Sequence, residues 1–118
     1  MLPAHGLRFE DTRFWVTHRH REYGPFDYEW SKDLYGLELV YKGRKFGEYC
    51  SEHEIFADLK EFKLPTRVVE VGSIVMGCVL FGVLNGLSQP ERRELLIERL
   101  KSMGYPKFAN FDDEFEAD

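Results

Sequence analysis

Three histidines and one cysteine stand where their types and spacing could do chemistry. In His18-Arg19-His20 the two imidazoles fall two apart in a segment that reads as a strand. A strand places such residues on one face, the geometry in which two histidines share a metal ion. Cys50 and His53, three apart at a predicted strand-to-helix junction, could complete a four-ligand site, for which zinc is the fitting ion. Cys50 also precedes a predicted helix cap at Ser51. Backbone amides and the helix dipole lower a thiol pKa there, and His53 is near enough in sequence to act as a base. A zinc- or thiol-dependent enzyme using His18, His20, Cys50 and His53 is one expectation. The commoner fates of such residues compete with it: surface or hydrogen-bonded histidines, and a half-buried cysteine at a strand end.

Other chemistry lacks its residues. There is no nucleophile elbow, phosphate-binding loop, dinucleotide fingerprint or paired-carboxylate pattern. Gly43-Arg44-Lys45-Phe46-Gly47 has glycines and bases, yet it reads as a hairpin tip and not as the strand-to-helix setting of a phosphate cradle. The 118 residues carry 16 bases and 21 acids, a net charge of -5, and residues 110–118 (NFDDEFEAD) hold five of the acids and no base. The remaining body is neutral and has no basic stripe, which removes most of the attraction that nucleic-acid binding rests on. Arg8, Arg13, Arg19 and Arg21 lie among Phe9, Phe14 and Trp15, but Glu10, Asp11 and Glu22 are interspersed, as on an ordinary sheet face. Two cysteines fall short of a disulfide framework and no secretory leader pattern is seen, so a cytoplasmic protein with reduced thiols is expected.

The elements that would position these residues can be read from periodicity. Residues 13–21 (RFWVTHRHR) alternate as a strand, with either face able to be the inner one. Tyr23-Gly24-Pro25 reads as a turn, after which Phe26, Tyr28 and Trp30 alternate with Asp27, Glu29 and Ser31 as a returning strand. Leu37, Leu39 and Tyr41 open a second hairpin. Lys42-Gly43-Arg44 turns it, and residues 45–50 return. Ser51-Glu52-His53-Glu54 fits a capping box for a helix bearing Ile55, Phe56, Leu59 and Phe62, ended by Pro65. Ser88-Gln89-Pro90-Glu91 fits a second, for a helix with Leu96, Leu100 and Met103 on one side, closed by Gly104 and Pro106.

Between these helices, residues 71–90 carry neither charge nor histidine. A helix over residues 66–87 has membrane length, about 30 Å at ~1.5 Å per residue. Glu70 interrupts it, Asn85, Ser88 and Gln89 erode its far end, and no aromatic belt flanks it. A membrane-anchored accessory protein is thus an alternative, and a helix buried all round is preferred. Cys78, Gly82 and Gly86, four apart, form a small-residue row. A neighbouring helix approaches it closely, from the same chain or from a second subunit of a homo-oligomer.

The expected fold is therefore α+β: a four-stranded antiparallel meander of two hairpins followed by three helices, the middle one apolar and buried. Residues 1–109 form a single domain, and residues 110–118 an acidic aromatic tail, disordered by composition. Residues 14–30 (FWVTHRHREYGPFDYEW) resemble the strand-turn-strand opening of GYF-type peptide-binding domains, through Gly24-Pro25-Phe26 and the aromatics before it. The chain has no Gly-Tyr-Phe tripeptide, and a second hairpin stands where those domains place a helix. The resemblance covers less than a fifth of the sequence and implies a peptide-binding surface of exposed aromatics. Together these readings favour a small protein-interaction and assembly module, homo-oligomeric and without a cofactor, over an enzyme. Its partner-binding residues would be Trp15, Phe26, Tyr28 and Trp30 on the sheet and Phe111 and Phe115 in the tail.

Overall fold

Alternation begins before residue 13. Leu7 and Phe9 are buried between exposed Arg8 and Glu10, and His5–Glu10 is strand β1 of a computed structural model that describes residues 4–10, 12–30, 37–45 and 60–109. It pairs antiparallel with β2 (Arg13–His18), followed in order by β3 (Arg21–Trp30), β4 (Leu37–Tyr41) and β5 (Arg44–Lys45). The α+β class and the meander are as expected, with five strands among the described residues in place of four because β1 is added at the edge. Lys42 (φ 53) and Gly43 (φ 75) make the second hairpin turn where glycine was read to permit it. Residues 46–50 of the expected return strand lie outside the described residues.

The first hairpin differs from expectation. Its turn is Arg19-His20, and Gly24-Pro25 lies within β3 as a bulge. Phe14 pairs with Phe26 and Val16 with Tyr23, so two residues of β3 oppose the single Trp15 of β2. A proline in a strand needs such an irregular position, and the glycine needs one too. Gly24 has φ +141, and a Cβ on it would stand 2.8 Å from Trp15 Cδ1 and 2.9 Å from the Phe14 carbonyl oxygen. The bulge shifts the phase of β3, so that Tyr23, Phe26 and Tyr28 all reach the core.

Two helices stand among the described residues, α1 (Thr66–Leu84) and α2 (Gln89–Ser102). The helix expected over residues 51–64, with its capping box and Ile55, Phe56 and Leu59, falls mostly outside them. α1 is buried nearly all round, through Val68, Val71, Ile74, Val75, Met76 and Val79, against the inner face of the sheet and against α2. Among the described residues no helix is long and apolar enough to cross a membrane, which was the alternative reading of residues 66–87, and the preferred buried helix is what stands there. The helix stops at Leu84, Gly86 turns at φ +62, and Ser73 inside it is satisfied by donating to the Val69 carbonyl at 2.7 Å.

Of the small-residue row, Cys78 is a buried core residue, and at Gly86 a Cβ would meet nothing within 4 Å. Gly82 makes a close approach to its own chain: a Cβ there would lie 2.5 Å from both Cγ and Cδ of Arg92 in α2. α2 opens as expected. Glu91 N–H donates to the Ser88 hydroxyl at 3.4 Å, and the Glu91 carboxylate accepts from the Ser88 N–H at 3.1 Å and from its hydroxyl at 2.7 Å. Those bonds hold the Glu91 carboxyl below its usual pKa. Leu96 and Leu100 enter the core, whereas Met103, expected beside them, is 51% exposed because the helix ends at Ser102 and Met103 caps it. Gly104 turns the chain at φ +91, and a 3-10 turn over Pro106–Phe108 carries Phe108 back against β1.

Candidate functional site

The strand containing His18 ends at His18, so the alternation that placed it beside His20 stops two residues short of a metal pair. Arg19 (φ 52) and His20 (φ 64) form a two-residue turn in the left-handed region, without the glycine or asparagine that usually eases one. His18 turns inward at 9% exposure, and His20 stands exposed in the turn. The neighbour of His18 is His5, its register partner across β1 and β2, with ring centroids 5.3 Å apart. Cys50 and His53, the other half of the expected zinc or thiol site, lie outside the described residues. Among the described residues no group of three or more His, Cys, Asp or Glu side chains could hold a metal ion.

Phe108 floors the histidine pair. Its ring lies 5.2 Å from His5 and 6.4 Å from His18, stacked on the latter at 26°. Tyr105 meets Phe108 edge-on at 6.1 Å, and the Arg67 guanidinium sits 5.9 Å over the Tyr105 ring. These groups line a pocket of about 330 Å³ at the end of the sheet, together with Arg19, Gly104, Pro106 and Lys107. Its cations come from three separate elements: Arg19 from the β2–β3 turn, Arg67 from the first turn of α1, and Lys107 from the 3-10 turn. Neither aspartate nor glutamate is among the lining residues.

The electrostatics of the pocket follow from that lining. Burial, first of all, holds the His5 imidazole below its ordinary pKa, followed by the charges of Lys107, Arg67, His20 and Arg19. Burial also leads for His18, followed by His5, Arg19 and Arg67. Both rings are therefore neutral near pH 7, in a strongly positive neighbourhood. Their Nδ1 atoms are shut off from solvent and make no hydrogen bond among the described residues. The first turn of α1 contains no acid, so the positive end of its macrodipole adds to Arg67. A divalent cation is repelled by such a lining, and an anion is drawn to it.

The aromatic residues expected to bind a partner sit elsewhere. Phe26 (0% exposed) and Tyr28 (7%) belong to the core, with Phe26 stacked on Phe14 at 5.1 Å and on Tyr41 at 4.6 Å. Alternation had identified their shared face correctly, but that face is the inner one. The strand-turn-strand resemblance in residues 14–30 is lost with them, since Gly24-Pro25 is not a turn. Trp15 lies on the outer face under the Arg8 guanidinium, 3.6 Å from the ring centroid. Arg8 is itself held by two 3.0 Å hydrogen bonds to Glu22. Trp30 ends β3, while Phe111 and Phe115 lie outside the described residues.

Sequence reasoning missed His5, Arg67, Tyr105, Lys107 and Phe108. The one local signal was the alternation of His5, Leu7 and Phe9, which makes β1 a strand and sets His5 on the inner face. Comparison with protein-family models, curated proteins and solved structures finds no match.

Proposed function

We propose that this chain is a recognition module whose ligand places an anionic group in the pocket between the end of the sheet and the 3-10 turn. The observation that carries this reading is the lining: three cations converging from three elements, two neutral imidazoles and no carboxylate. Binding in place of catalysis is supported by the state of those imidazoles. A general base is oriented by a hydrogen bond from its second nitrogen to a carboxylate or carbonyl. Neither His5 nor His18 has such a bond at Nδ1 among the described residues. The protein-interaction role expected from the sequence is retained in a narrower form, with the pocket in place of the sheet aromatics as the contact.

The test is a titration of the full chain with inorganic phosphate at constant ionic strength, followed by amide and imidazole NMR shifts. Saturable shifts confined to His5, His18, Arg67, Gly104 and their neighbours are expected. Shifts that fail to saturate, or that spread equally to exposed bases such as Lys42 and Lys60, overturn the reading.

A further inference from the structure

We infer that the anionic group is the phosphoryl group of a phosphate monoester. This rests on the anion-binding reading above and goes further in naming the chemistry.

The first argument is the number and origin of the donors. A carboxylate offers two oxygens in one plane and a single charge, and one guanidinium engages both oxygens in a bidentate pair. Here Arg19, Arg67 and Lys107 approach from a hairpin turn, a helix and a 3-10 turn. A phosphoryl group with three terminal oxygens and up to two negative charges is the group that three such donors can share.

The second argument is the charge to be balanced. His18, nine-tenths buried, lines the pocket as an uncharged wall, and its Nδ1 is shut off from solvent and so from an occupant of the pocket. Recognition then falls to Arg19, Arg67 and Lys107, with no carboxylate beside them. A phosphoryl group brings up to two negative charges to those three cations, where a carboxylate brings one.

The third argument is size. A volume of about 330 Å³ falls at the small end of the range for small-molecule sites, ~300–1,000 Å³. It is on the order of ten times the ~30 Å³ that a water molecule takes in the liquid, so it exceeds a bare phosphate ion. The rings of Tyr105 and Phe108 line the same space, giving the organic part of the ester an apolar wall. The ester could be a free small molecule or a phosphorylated side chain, and the chemistry at the pocket is common to both.

The experiment compares phenyl phosphate, phenyl sulfate and benzoate by calorimetric titration of the full chain. It adds an arm with a capped phosphotyrosine peptide and its unphosphorylated form. Phenyl phosphate is expected to bind about tenfold more tightly than phenyl sulfate, which has the same shape with one charge fewer, or benzoate. Arg67→Gln and Lys107→Gln change exposed side chains and leave the core intact, and each should weaken phenyl phosphate about tenfold while Lys42→Gln does not. Peptide binding tighter than phenyl phosphate assigns the ester to a protein partner; equal or weaker binding assigns it to a small molecule, and both support the inference. Benzoate or phenyl sulfate binding as tightly as phenyl phosphate overturns the phosphoryl assignment while leaving an anion pocket. Absence of all binding overturns that pocket as well.

Discussion

Replacing Gly24 by alanine tests how β3 crosses Trp15. Two separate penalties arise. A φ of +141 lies far from the wells of an L-residue, and the new Cβ would press on the Trp15 ring at 2.8 Å and on the Phe14 carbonyl at 2.9 Å. Gly43→Ala isolates the first penalty, because Gly43 has φ +75 with nothing within 4 Å of its would-be Cβ. Left-handed backbone costs about 1 kcal/mol in an ordinary residue, and overpacking adds ~1–3 kcal/mol. With a φ cost at least as large at residue 24, Gly24→Ala should lose about 2–5 kcal/mol against about 1 kcal/mol for Gly43→Ala. At a urea m-value of about 1.5 kcal/mol/M, the midpoints fall by about 1.3–3.3 M and about 0.7 M. Circular dichroism measures both. In a Trp15→Ala background part of the Gly24→Ala cost should vanish, a coupling of ~0.5–3 kcal/mol, while the overlap with the carbonyl remains. Equal midpoints for Gly24→Ala and Gly43→Ala would refute the bulge packing.

Three further outcomes are expected. Well above pH 6.5, the ordinary histidine value, His5 and His18 are neutral folded and unfolded. Below it the unfolded chain takes up protons that the folded chain, with lowered pKa values, does not, so the melting temperature should fall as pH drops from about 6.5. The fall ends once the folded-state pKa values are passed, and inorganic phosphate should reduce it by stabilising the charged rings. Arg19→Asn with His20→Gly eases a turn now held at φ 52 and 64, and should raise stability by about 1 kcal/mol or more in urea unfolding. The same change removes a pocket cation, so calorimetry should show weaker phosphate binding. Phe108→Ala deletes a ring that is 1% exposed beneath the histidines and should cost about 3–5 kcal/mol in the same unfolding assay.

What the sequence made legible was local. The Ser88–Glu91 cap, the Lys42-Gly43 turn and the buried central helix each follow from a few adjacent residues, and each stands where it was expected. Gly24-Pro25 announced a backbone irregularity, but a bulge and a turn ask for the same residue types, so the device was misread. The inner face of β2 was illegible because aromatics occupy both of its faces; only packing on α1 decides that Phe14 goes in while Trp15 stays out. The pocket was the least legible feature. His18 was noticed beside the wrong histidine, and Arg67 and Lys107 look like ordinary surface bases until the fold brings them to one rim.

His5 belongs to the first strand of the described fold, and residues 104–108 to its last turn. A ligand seated between them acts as a clasp, joining elements that meet only when the meander and both helices are in place. Occupancy should then slow amide exchange through the whole sheet as well as at the rim, since the clasp cannot close on a partly folded chain.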